Sequence, residues 1–94
     1  MANSGPADKD DKEIRALVDA AAKGDHAAWD RLVQRFSGFV WSVTRSLRLS
    51  GDDATEVSQA TWLRLVEQLD RIDPDRLGAW LADTARHEAD LRSR

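Results

Sequence analysis

The sequence predicts an all-α fold: a compact bundle of three main helices preceded by a short N-terminal one. Ala, Leu, Arg, Glu and Asp are abundant, and 33% of the residues are charged against 41% hydrophobic, a balance that favours helix. Tyr is absent and Val is scattered, which argues against a sheet. Apolar residues recur at three- and four-residue spacing through successive segments, the period of one buried helical face. At 94 residues there is chain for one small domain and not for two.

Residues 1–9, rich in Gly, Pro, Ser and Asp, read as a disordered tail, and residues 10–94 as the helical domain. Ile14, Leu17, Val18 and Ala21 mark the first helix; Gly24 stops it and Asp25 caps the next. From Asp25, the residues Trp29, Leu32, Val33, Phe36, Phe39, Val40, Val43 and Leu47 line one broad face, until Ser50-Gly51 breaks the helix. Trp41 falls off that face beside Gln34, Arg45 and Arg48. It is expected to pack on the first helix or its neighbours, the alternative being contact with nucleic acid or a protein. A third helix starts at a cap formed by Asp52 or Asp53 and runs to about Leu69, with Ser58, Trp62, Leu65 and Leu69 on the core side, flanked by Thr61 and Val66. Pro74 makes the segment Asp70–Asp75 a loop. The fourth helix, Asp75 to about Arg92, turns Leu77, Trp80, Leu81, Thr84 and Leu91 to one face.

Composition also narrows the function. With no Cys, disulfides and thiolate chemistry are absent, which fits a reducing cytoplasm. His26 and His87 are too few for a metal cluster, so no metal or cofactor is expected. The N-terminus lacks the apolar core of a signal peptide, and no apolar run is long enough for a membrane span. Acids are plentiful, but none stands with a nucleophile or a His at a recognisable spacing, and there is no glycine-rich phosphate loop; an enzyme is not expected.

Charge is unevenly placed. The net charge is −3, yet the second helix is basic, with Arg31, Arg35, Arg45 and Arg48, and the third is acidic, with Asp52, Asp53, Glu56, Glu67 and Asp70 against Arg64. On the third helix, Glu56, Gln59, Leu63 and Glu67 fall opposite the core. A basic helix of a partner can lie along such a strip, Leu63 filling a pocket while the carboxylates and the amide set orientation; the plainer alternative is a solvated face with one ordinary exposed leucine. The fourth helix carries a polar row of Arg76, Asp83, His87, Asp90 and Arg94 with Arg86 alongside. Asp83 is expected to pair with His87, and Asp90 with Arg86 or Arg94. An ion-paired surface explains this row. The alternative is that the row and the loop Arg71–Pro74 read nucleic acid, although residues 71–94 carry no net charge.

The order of these pieces resembles a known family. G-D-H-A-A-W matches the pattern G-D-x-x-A-F, D-A-T-E-V-S-Q-A-T-W matches D-A-E-D-L-V-Q-E-V-F, and A-W-L-A-D-T-A-R-H matches A-W-L-x-x-I-A-R-N. Together they resemble the region 2 domain of bacterial sigma factors of the extracytoplasmic-function group, over roughly Ile14 to Arg94. The resemblance implies a cytoplasmic, non-enzymatic transcription initiation module. It implies docking on the clamp helices of the RNA polymerase β′ subunit through the third helix, with Gln59 matching the family's glutamine and Asp53, Glu56, Leu63 and Glu67 around it. It also implies that the loop and fourth helix open and read the promoter minus-ten element as single-stranded DNA. Arg71, Ile72, Asp73, Arg76, Asp83, Arg86 and His87 are the residues implied for that role, Ile72 where the family commonly has an aromatic residue and His87 where it has an asparagine. An anti-sigma factor is a further candidate partner; no membrane is implied. Ala60 replaces the acid that usually follows the glutamine. His87 cannot repeat an amide's bidentate contact with a base. The competing reading is a helical protein-interaction domain, controlled by a partner and without DNA binding.

Overall fold

The computed structural model describes the backbone of residues 4–92 and the side chains of residues 11–92. Its elements are α1 (Ser4–Ala22), α2 (His26–Ser46), α3 (Gly51–Gln68), a single 3-10 turn (Pro74–Arg76) and α4 (Leu77–Arg92). No strand occurs among the described residues. Helix α1 begins at Ser4, ahead of the boundary expected near residue 10, with Pro6 in the first turn where a missing N–H is tolerated. The expected disorder of residues 1–3 lies outside the described residues.

The first connection is made by three residues. Gly24 takes φ +98°, its N–H donates to Ala21 O at 3.0 Å, and the N–H of Asp25 donates to Ala20 O at 3.0 Å, the paired bonds of a left-handed helix stop. Asp25 then caps α2, its Oδ1 accepting from the N–H groups of Ala27 and Ala28 at 3.0 and 3.2 Å. The α2–α3 connection is built differently. Helix α2 ends at Ser46, and Arg48 stands at φ +59°, a left-handed position that glycine usually fills. Ser50, and not Asp52 or Asp53, caps α3: its Oγ accepts from Asp53 N–H at 3.2 Å, so both aspartates fall in the first turn, where the macrodipole favours them.

Leu32, Leu65, Leu77, Leu81, Val40 and Val57 are the largest fully buried apolar side chains, and truncating a leucine in such a core costs about 2–5 kcal/mol. The Trp29 and Trp62 rings meet edge to face at 6.1 Å and join α2 to α3. Thr44 and Thr61 are also fully buried, each donating its hydroxyl to a carbonyl of its own helix at 2.8 Å.

The helices are rotated from the faces that large side chains alone suggest. On α3 the buried line is Ala54, Val57, Thr61 and Leu65, while Val66 is 51% exposed. On α4 it is Leu77, Leu81, Ala82, Ala85, Glu88 and Ala89; Trp80 and Thr84 are half-buried and Leu91 is exposed. Ala85 and Ala89 pack around Val57, with Val43, Leu47 and Leu49 against them, because short side chains let α4 settle close onto its neighbours. Phe39 and Trp41 on α2 remain exposed, the latter contrary to the packing expected for it.

The buried acid on α4 is the main polar feature of the interior. Glu88 is 4% exposed; Arg64 Nε of α3 donates to its Oε2 at 3.3 Å and Arg92 Nη1 to its Oε1 at 3.0 Å. Burial pushes this carboxyl's pKa up, but the hydrogen bonds and charges of Arg92 and Arg64 outweigh that and hold it below the ordinary value. The group is therefore ionised at neutral pH and ties α3 to α4.

Substitutions at the turns and at the buried acid have distinct signatures. Gly24→Ala loses about 1 kcal/mol of stability and Arg48→Gly does not, as read from urea midpoints; equal losses at both would contradict the assigned left-handed geometry. At pH 7, Glu88→Gln loses about 1–3 kcal/mol by weakening the charged hydrogen bonds that Arg64 and Arg92 make to it. Because the folded-state pKa is lowered, the wild-type advantage is complete above the ordinary carboxylate value of 4.5 and shrinks as pH falls through the folded-state value. Thermal melts of both proteins between pH 7 and pH 3 check this.

Candidate functional site

Two surfaces meet along α3. The first is its outward strip. Glu56, Gln59 and Glu67 are exposed there, and Leu63 is 61% exposed, the largest value among the exposed large hydrophobic residues. Asp53 is half-buried at the head of the helix, and Ala60 is half-buried beside the strip. Val66, read from sequence as a flank of the core, opens beside Leu63 and extends its apolar patch. Glu67 lies 3.6 Å from Arg64, and Glu56 lies 3.5 Å from Arg92. The exposed Gln59 amide makes no hydrogen bond among the described residues, so its donors and acceptor are open to a partner.

The second surface is a groove between the loop after α3 and the outer side of α4. Arg71, Ile72, Asp73, Arg76 and Asp83 line one hollow together with Gln68 and Trp80. Asp83, His87, Gln68 and Trp80 line the next hollow along α4, whose inner wall is Arg64 and Glu88. Gln68, Trp80 and Asp83 belong to both, so the two hollows adjoin and are treated together as one groove. Six of the seven residues assigned to DNA from the sequence thus converge on it. Arg86 stands at its rim, donating to Asp83 Oδ1 at 2.9 Å; this pair replaces the expected one between Asp83 and His87. Arg94 lies outside the described residues.

The roles within the groove are unequal. Ile72 is half-buried and packs on the main core, which anchors the loop. Asp73 is occupied structurally, its Oδ1 accepting from Asp75 N–H at 3.0 Å to cap the 3-10 turn. Arg15 of α1 reaches Asp75 with two contacts, at 2.6 and 2.7 Å, and holds this turn from outside. Arg71 and Arg76 are exposed and make no ion pair among the described residues, leaving two guanidinium groups free for an anionic ligand. Sequence spacing does not single out Trp80, Gln68 or Arg64 for this site. Trp80 sits at core-like spacing, yet it is only half-buried and forms a wall of both hollows.

No group of acids and histidines among the described residues is arranged to hold a metal ion. No described helix is long and apolar enough to cross a membrane. The arrangement offers recognition chemistry: an acidic strip with an apolar centre, and beside it a groove combining arginines, an aromatic wall and hydrogen-bonding side chains.

The profile of the Sigma-70 region 2 family matches residues 32–94, which takes in most of α2, all of α3 and the whole groove. No curated protein and no solved structure matches the chain. With two thirds of its length in that match and a helical, strand-free fold among the described residues beneath it, the chain belongs to the sigma-70 family as a region 2 domain, a transcription initiation module of the kind that binds core RNA polymerase and recognises the promoter minus-ten element.

Proposed function

We infer that this domain is of the extracytoplasmic-function type, docks on the β′ clamp helices through the α3 strip, and captures the melted minus-ten strand in the groove of the loop and α4. The observation that carries the reading is the adjacency of the two surfaces on one helix. Gln59 and Leu63 face out from α3, while Gln68 at its end opens into the groove with Arg71 and Arg76.

At the strip, Leu63 and Val66 provide the apolar centre of a contact, and Glu56, Glu67 and Asp53 provide an acidic rim for a basic helix. In the groove, Arg71 and Arg76 meet phosphates and Trp80 offers a face on which a base can stack. His87 and Asp83 read the edge of an extruded base, His87 with a single hydrogen bond where an amide makes two. Arg86, paired with Asp83, orients that carboxylate. An anti-sigma factor belongs to the same proposal as a partner, and the work is cytoplasmic and involves no catalysis. The absence of net charge across residues 71–94 supports a division of labour in which polymerase brings the DNA and the groove selects it.

Co-purification with core polymerase tests the docking. The wild-type domain is retained, and the double substitution Gln59→Ala with Leu63→Ala abolishes retention without changing the thermal melt, since both side chains are exposed. Retention of the double variant, or failure to retain the wild type, rejects the strip and favours the interaction domain without a DNA role. For the groove, Arg71→Ala and Arg76→Ala each weaken capture of single-stranded promoter DNA in the assembled complex. Each also flattens the slope of log affinity against log salt by about 0.7 for every phosphate left without its arginine. An unchanged slope in both variants removes those arginines from the DNA.

A further inference from the structure

The exposed arginines of the groove stand among acids, and the acids nearest them are engaged elsewhere. Asp73 Oδ1 accepts from Asp75 N–H at 3.0 Å as the cap of the 3-10 turn, and Asp83 is held by Arg86 at 2.9 Å. Asp70 lines a different hollow behind the loop, with Asp19 and Lys23 of α1. That leaves Asp75, the chain neighbour of Arg76, whose charge stays within one screening length, about 10 Å, of that guanidinium. It is claimed by Arg15 of α1, whose Nη2 reaches Asp75 Oδ1 and Oδ2 at 2.6 and 2.7 Å across 60 positions of sequence. Helix α1 is itself fixed: Val18 is buried in the main core with Ile14 and Leu17 packed beside it, and Glu13 meets Arg35 of α2 at 2.6 Å. Arg15 is therefore presented to the turn from a helix that cannot easily move away.

We propose that Arg15 is a positioning residue for nucleic acid: it holds the Asp75 carboxylate toward α1 and neutralises it, so that Arg71 and Arg76 meet phosphate without a competing acid. This rests on the assignment of the groove to single-stranded DNA. Arg15 does not line the groove and acts only through Asp75. Without it, an unclaimed carboxylate stands on an exposed single turn beside two guanidinium groups that make no ion pair among the described residues, and it competes with phosphate for them. The pair itself adds little to the stability of the fold, because its side chains are 59% and 51% exposed. Its effect is on the charge that a strand meets at the loop. The same exposure limits that effect to about two- to fivefold in affinity.

The test uses the full chain and an adenine- and thymine-rich single-stranded oligonucleotide of about ten nucleotides, followed by fluorescence anisotropy at low salt. Arg15→Gln is expected to weaken binding about two- to fivefold, and Arg15→Lys to keep most of it. Asp75→Asn breaks the same pair but removes the acid, so it keeps or tightens binding. Arg15→Gln combined with Asp75→Asn returns to the wild-type affinity. Arg15→Gln combined with Asp52→Asn has the same net charge, yet it stays weak, because Asp52 is exposed at the head of α3 and not beside Arg76. Equal losses from Arg15→Gln and Asp75→Asn mark a mere prop for the turn and overturn the proposal. Recovery through Asp52→Asn reduces it to bulk charge, and no recovery through Asp75→Asn makes Arg15 a contact of the strand itself; either result overturns it. Binding that depends on Arg71 and Arg76 but ignores Arg15 overturns the positioning role and leaves the groove assignment intact. No binding by the wild type, at low salt and in the polymerase complex alike, overturns the groove assignment and the positioning role with it.

Discussion

Everything in this domain depends on α3 packing with only one side. Ala54, Val57, Thr61 and Leu65 run along its inner face, at most 4% exposed, while Gln59 and Leu63 face outward from the turns between them. Helix α4 keeps that inner face dry. Its Ala85 and Ala89 present little more than backbone to Val57, so the two helices approach closely and α3 cannot roll to hide its exposed leucine. A larger side chain at either alanine would push α4 outward and open the groove at its base. The alignment of both surfaces thus rests on small residues that take no part in either.

The same packing explains which parts of the structure are legible in the sequence. The order of the helices and the outward strip on α3 are visible there in the apolar spacing, and the grouping of Arg71, Ile72, Arg76, Asp83 and His87 through the resemblance of the motifs. What spacing misses is the rotation set by small side chains. Ala82, Ala85 and Ala89 carry little hydrophobic signal, so spacing alone draws the face of α4 through Trp80 and Leu91, which the structure leaves at its edge. It likewise places Val66 near the core and overlooks Val57. Glu88 is invisible for a different reason: a carboxylate is buried only when its counter-ions are at hand, and one of them, Arg64, is distant in sequence.

The turns show a second limit. Gly24 announces a left-handed residue, and the first connection is legible as a glycine stop followed by an aspartate cap. Arg48 announces nothing, yet it takes the same role at the end of α2. With Arg48 left-handed, Ser50 stands as the α3 cap and Asp52 and Asp53 fall in the first turn instead of capping. A local backbone choice at one arginine therefore goes with which side chain caps α3 and leaves both aspartates in the first turn, beside the positive end of the helix.

Charge is sorted across the molecule in a way that the total of −3 conceals. On the proposed reading the acids of α3 serve a protein and the exposed arginines of the groove serve nucleic acid, so a weakly acidic domain can do both provided that the two fields do not cancel. Arg64 and Arg92 are where they would cancel. Both lie between the surfaces, and both are claimed by Glu88, a carboxylate only 4% exposed at the wall of the groove. Burying that one carboxylate costs desolvation energy, which the two guanidinium groups offset. In return it keeps the arginines fixed on the seam, where an unanchored arginine would swing to the more acidic side and cover the strip. The acidic strip and the arginine-bearing groove keep to adjoining sides of one helix because the charge between them is pinned from inside.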